Sequence, residues 1–201
     1  AISDGSITLE VGADVTPPVI GELDRSPTWY NTSVTIAVNV SDLETGVNSA
    51  ILGYSGGSDW INVTMGGQDS LYVGVIPAFP YGTVVRYSLY AHDNAGNWGV
   101  SGVFSYNVTD DTPPEIGGPD WGPASPSAGQ LVLVRVSVSE PENASGIDIV
   151  QLFHSLDNYR VSHNMTYEDD FWCFEIPSQS DGVVVSFLVR ATDEAGNVRT
   201  T

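Results

Sequence analysis

The chain has 201 residues, with six Arg, no Lys and 25 acidic residues, giving a formal charge of −19. Such a surface repels nucleic acid and anionic membranes, and a hydrophobic content of 41% excludes a disordered tail. The single cysteine, Cys173, excludes an intrachain disulfide, and no apolar run reaches the length of a membrane span.

In chain order, the first predicted element is a strand ending at Val11, where Ile7, Leu9 and Val11 alternate with polar neighbours. An acidic linker and Thr16-Pro17-Pro18 follow. The next strand is "VTIAVNV", where Val34, Ile36, Val38 and Val40 alternate with Thr35, Ala37 and Asn39. Turn clusters "YSGGSD" and "MGGQD" bound the strands after it. "YAHDNAGN" closes a further strand, and "WGVSGVFSYNV" carries Phe104, Tyr106 and Val108 on one face. A second linker and Thr112-Pro113-Pro114 then open a repeat of the same order. "LVLVRVSV", "FWCFEIP" and "VVVSFLVRA" read as strands of the second copy, with Cys173 a small buried hydrophobe. No helical period is sustained.

The two copies align at an offset of 100 residues. Leu52/Leu152, Met65/Met165, Gly82/Gly182 and "YAHDNAGN"/"RATDEAGN" all match at that offset. Between the prolines the offset is 96, and the difference is absorbed where "SDLETG" becomes "SEPENASG", as a loop tolerates. About seven short strands per copy with regular turns predict an all-β fold of two tandem Ig-like β-sandwiches. The expected organisation is a donor strand over residues 1–13, sandwich one over 14–109 and sandwich two over 110–201.

The double-proline start, the acidic loop before Gly-Val or Gly-Ile, and Ala-x-Asp-x-Ala-Gly-Asn at 91–97 and 191–197 carry a resemblance. The pattern resembles the Ig-like and fibronectin-type-III-like tandem repeats of bacterial and archaeal extracellular surface proteins. It covers nearly the whole chain. The resemblance implies adhesin stalks, surface-layer pieces, filament subunits or enzyme spacers rather than one function.

Copy one has a seventh strand, G, after Asn97, whereas copy two stops four residues after Asn197. Ile7, Leu9 and Val11 match Phe104, Tyr106 and Val108 at an offset of 97. The second sandwich is therefore expected to lack its own G strand, and the N-terminus to carry a G-type strand. A sandwich without an edge strand exposes an apolar groove and unpaired backbone groups, as in donor-strand complementation. The expected partner is a second copy, joined head to tail, because the short, proline-stiffened "TDDTPP" linker disfavours closure within one chain. The alternative is a fragment of a longer tandem-repeat adhesin or surface-layer protein with calcium-rigidified linkers. A first residue Ala1 fits an exported protein after signal-peptide removal as well as an excised piece.

Six N-x-S/T sequons stand at Asn31, Asn39, Asn62, Asn107, Asn143 and Asn164, where this composition gives about two by chance. They predict a glycoprotein at the cell surface. Acidic residues recur in corresponding loops: Asp14, Asp42, Glu44 and Asp93 in copy one, and Asp110, Asp111, Glu140, Glu142 and Asp193 in copy two. They are the candidate calcium ligands, since Ca²⁺ takes six to eight oxygens. The competing reading is that Asp93 and Asp193 hold turns through backbone hydrogen bonds. His92, His154 and His163 are scattered, and no hydrolase, P-loop or dinucleotide-binding motif occurs, so no enzyme activity is expected. No cofactor is required, with calcium the one candidate, and neither nucleic acid nor membrane insertion is expected.

Overall fold

The computed structural model describes residues 12–201. The predicted donor strand with Ile7, Leu9 and Val11 lies outside them. The chain forms two compact units. Of the described residues, the first holds 12–28, 32–78 and 83–107, and the second holds 29–31, 79–82 and 108–201.

The first unit contains β1 (Val19–Arg25), β2 (Val34–Ser41), β3 (Val47–Ser55), β4 (Ile61–Thr64), β5 (Gly66–Gln68), β6 (Leu71–Ile76), β7 (Val84–Asp93), β8 (Trp98–Val100) and β9 (Phe104–Asn107). One sheet runs β1-β2-β6-β5. The other runs β4-β3-β7-β8, with β9 also paired to β7. The alternation in β2 acts as expected: Val34, Ile36, Val38 and Val40 are buried, and Asn39 faces out. Leu52, Val85, Leu89 and Ala91 bury the facing side of the second sheet. Each such side chain contributes about 1.5–3 kcal/mol when fully buried. The two sheets approach closely at Gly74 on β6, where an added Cβ would stand 2.8 Å from Leu52 Cδ2 on β3.

The second unit contains β10 (Glu115–Ile116), β11 (Asp120–Gly122), β12 (Val132–Val136), β13 (Val138–Ser139), β14 (Ile147–His154), β15 (His163–Asn164), β16 (Thr166–Glu168), β17 (Phe171–Ile176), β18 (Phe187–Asp193) and β19 (Val198–Thr200). A 3₁₀ turn, Ser155–Asp157, follows β14. The sheets are β11-β12-β17-β16 and β15-β14-β18-β19, with β10 paired to β13. Val134, Val136, Val150, Leu152, Met165, Ile176, Val189 and Ala191 form the core. Cys173 is buried, and Trp172 packs partly buried against the core.

The repeat extends to register. Leu52 pairs with Leu89, and Leu152 with Val189. Both ladders shift at the same place, between Val47 and Ser49 and between Ile147 and Ile149. The preceding Gly46 and Gly146 adopt φ of 79° and 91°, a left-handed backbone that favours glycine.

Two departures from the sequence reading are informative. "LVLVRVSV" is not one strand: the ladder breaks at Ser137, whose carbonyl accepts from Gly117 N–H at 2.9 Å. "VVVSFLVRA" becomes a strand only from Phe187, because among the described residues Val183–Ser186 have no strand to pair with on the side that β9 fills in the first unit.

Candidate functional site

In the first unit, β9 lies antiparallel on the first half of β7. Val84 faces Asn107, Val85 faces Tyr106, Arg86 faces Ser105 and Tyr87 faces Phe104. Tyr106 is buried on this seam, with the Arg25 guanidinium 4.9 Å from its ring centroid. Burial pushes its phenol up to about 12 despite the nearby Arg25 charge. Phe104 stacks on Tyr87 at 5.4 Å while remaining partly exposed at the strand end. The expected core face of this strand is thus buried at Tyr106 and half-open at Phe104, and Val108, also buried, lies just past the strand's end.

Among the described residues, the second unit repeats β4, β3, β7 and β8 as β15, β14, β18 and β19, with none in the place of β9. β19 is the counterpart of β8, and Thr201 N–H bonds Val189 O at 3.0 Å as Ser101 N–H bonds Leu89 O at 2.9 Å. Beyond that point, no strand among the described residues pairs with Val184–Phe187 on the side that β9 fills in the first unit, while β14 pairs Phe187 from the other side. The consequence shows in burial. Val85 is 0% exposed, whereas its counterpart Val185 is half-buried and Val184 is 85% exposed. A groove of about 660 Å³ remains, lined by Trp121, Val132, Ile176, Val183, Val185 and Phe187 among others. Trp121 lines it from β11 and Phe187 from β18. An apolar trough beside an unpaired strand edge accepts an extended segment: the backbone supplies the ladder and alternate side chains fill the trough.

The acidic loops converge within each unit. Carboxylate oxygens of Asp14, Asp42 and Asp93 lie within 4.8 Å of one another, as do those of Asp110, Glu140 and Asp193. Glu44 joins the first group through Thr16, whose hydroxyl donates to its carboxylate at 3.4 Å. Asp111 and Glu142 are exposed and stand outside the second group. Most of these oxygens already accept hydrogen bonds. Asp42 Oδ1 takes Glu44, Thr45 and Gly46 N–H, while Asp14 takes Thr16 N–H and the Thr45 hydroxyl. Asp93 and Asp193 each accept both the backbone N–H and the side-chain amide of Asn97 or Asn197. Burial pushes the Asp93 carboxyl up, but the bonds from Asn97 and Gly96 outweigh it and hold it below the usual value. Glu44 is raised by its hydrogen bond with Asp14 and by the charge there. Glu140 is raised chiefly by burial. Its Oε2 accepts Gly146 N–H at 2.6 Å, and its Oε1 is buried with no hydrogen-bond partner.

All six sequon asparagines, Asn31, Asn39, Asn62, Asn107, Asn143 and Asn164, are exposed. Trp60, Trp98 and Trp121 are about half-exposed, and His92 packs against Trp98 at 4.6 Å. His154 and His163 are not scattered: their rings stack at 4.6 Å.

No protein-family model and no curated protein matches the chain. Among solved structures, a two-domain fibronectin type III segment of chicken tenascin is similar over 92% of this chain and 98% of its own length. Its identity is 11% and its TM-score 0.52. The titin domains Z1Z2 in complex with telethonin cover 94% of both chains at 17% identity and TM-score 0.43. The fibronectin(III)-like modules of Clostridium thermocellum CbhA cover 91% of this chain and 90% of their own at 14% identity and TM-score 0.35. The tenascin likeness shows the fold alone: tandem all-β sandwiches of the Ig and fibronectin-type-III kind.

Proposed function

We propose that the chain is a structural subunit of an extracellular filament, assembled head to tail by donor-strand complementation. The carrying observation is the groove beside Val184–Phe187, placed where β9 closes the first unit. The segment 2–11, predicted as a strand from its sequence, has the apolar spacing of the chain through β9, with Ile7, Leu9 and Val11 at the sequence positions of Phe104, Tyr106 and Val108. Transferring the β9 register sets Ile7 opposite Phe187, Thr8 opposite Ser186, Leu9 opposite Val185 and Glu10 opposite Val184. Each apolar donor side chain fully buried there contributes about 1.5–3 kcal/mol, with a backbone ladder in addition. The partner is a second copy, the setting is the cell surface after export, the six exposed sequons carry N-glycans, and no catalysis is assigned.

The test is a cysteine pair at that register, Thr8→Cys with Ser186→Cys, in a Cys173→Ala background. Facing residues of an antiparallel pair have Cα atoms about 4.5–5.5 Å apart, within disulfide reach. Mild oxidation is expected to give a ladder of covalent multimers. Only uncrosslinked chains, or chains crosslinked within themselves, would overturn the proposal.

The second reading is a tandem-repeat adhesin or surface-layer piece whose linkers are stiffened by calcium. The two three-carboxylate groups favour it. A melting temperature unmoved by chelation removes it.

A further inference from the structure

The second unit carries a ligand set that the first unit lacks. At the end of β14, the 3₁₀ turn brings Asp157 beneath His154, and the pairing of Leu152 with His163 brings β15 alongside. Asp157 Oδ2 lies 2.9 Å from His163 Nε2 and 3.6 Å from His154 Nδ1. Donor atoms of all three residues lie within 4.8 Å of one another. His154 is only 5% exposed, and its Nδ1, turned toward Asp157, has no hydrogen-bond partner. Asp157 Oδ1 is likewise buried without one. An unpartnered buried imidazole nitrogen is costly unless something binds it. Phe174 packs 5.0 Å from the His163 ring and lines one side. The side chains of His163 and Asp157 remain 28% and 20% exposed, which leaves an entry path.

From this geometry we infer that His154 Nδ1, Asp157 and His163 Nε2 form a binding site for a borderline divalent transition-metal ion, Zn²⁺ foremost. Two donors each about 2.1 Å from one tetrahedral zinc stand about 3.4 Å apart, and the observed separations straddle that value. Two imidazoles and one carboxylate select zinc and its first-row neighbours over calcium, which takes oxygen ligands only. Three protein ligands leave the fourth position to water. The first unit provides an internal comparison. At the offset of 100, the three ligand positions are Tyr54, Gly57 and Val63, in a hairpin of the same register. The hairpin needs no such residues to fold, and all three ligand-type residues occur together in the second copy. The ion would tie the 3₁₀ turn to β15 at the rim of one sheet.

The test is calorimetric titration of the full chain with Zn²⁺ in excess Ca²⁺, which occupies sites built of carboxylates alone. One Zn²⁺ per chain is expected, with Co²⁺ giving the ligand-field absorption of a tetrahedral site. His163→Gln and Asp157→Asn are expected to weaken binding beyond the roughly 10–100-fold that loss of an outer partner costs. His92→Gln should change nothing. Imidazole ¹⁵N shifts in the unmutated chain give a readout that no misfolded variant can confuse: His154 Nδ1 and His163 Nε2 should move on Zn²⁺ addition. Absence of stoichiometric binding, binding that survives both variants, or unmoved nitrogen signals would each overturn the site.

Discussion

Trp121 and Phe187 meet edge to face, with ring centroids 5.9 Å apart and planes at 80°. One ring belongs to an edge strand of one sheet and the other begins β18 of the facing sheet. They span the mouth of the second sandwich where the first is closed by β9. The trough lies beside this contact and is lined by both rings.

A charge in that trough should separate assembly from folding. Val185 is half-buried in the lone chain and would be fully covered by a docked strand. Val185→Asp is expected to abolish multimers in light scattering while shifting the stability of the monomer by about 1 kcal/mol or less. Multimers that persist in Val185→Asp would place the contact elsewhere.

Asp193 anchors the turn after β18. It is 1% exposed and accepts Asn197 N–H at 2.7 Å and the Asn197 amide at 2.9 Å. Hydrogen bonds to a charged group contribute about 1.5–3 kcal/mol each. Asp193→Ala should destabilise the second unit by roughly 3 kcal/mol in denaturant titration, and Asp193→Asn, which keeps one acceptor, by about half of that.

Glu140 is expected to be a liability at neutral pH. Burial raises its carboxyl above the ordinary 4.5, and the charges of Asp193 and Asp110 add to the shift. With the folded value above the unfolded one, ionisation costs stability above the folded pKa. That cost is relieved as pH falls through the folded value toward the unfolded one. Glu140→Gln should therefore raise the melting temperature at pH 7 under chelation, and the gap should close in acid. A rise in melting temperature of the second unit on Ca²⁺ addition, reduced in Glu140→Gln while the Asp14, Asp42 and Asp93 group is left intact, is the outcome the calcium reading requires.

Gly74 reports on the packing of the first unit. A Cβ there would meet Leu52 Cδ2 at 2.8 Å and Leu52 Cβ at 3.2 Å, in a core where Leu52 is fully buried. Gly74→Ala should cost about 1–3 kcal/mol by overpacking, measured by chemical denaturation.

The sandwich and its duplication were legible because alternation and turn chemistry are local. Val34, Ile36, Val38 and Val40 declare a buried face without knowledge of what covers it. The convergence of the carboxylates was legible for a related reason, since the repeat placed Asp42 with Asp93 and Glu140 with Asp193 in corresponding loops. Their use was not: only coordinates show Asp42 Oδ1 occupied by three N–H groups. Val183–Ser186 read as strand on β-branched content, but a strand needs a neighbour as well as a propensity. The histidine pair was invisible because residues 154, 157 and 163 follow neither a helical nor a strand period. Their meeting depends on the Leu152–His163 register, and that register could have been read by folding copy two over copy one at Leu52 and Val63.

The unfilled edge of β18 also has a consequence for polarity. Under the proposed assembly, a molecule whose second module accepts the ribbon that a neighbour's first residues donate is joined in one direction only. Any chain of such molecules has two unlike tips, one with an empty cleft and one with an idle ribbon. A capping agent that mimics the ribbon would halt addition at the first tip and leave the second untouched.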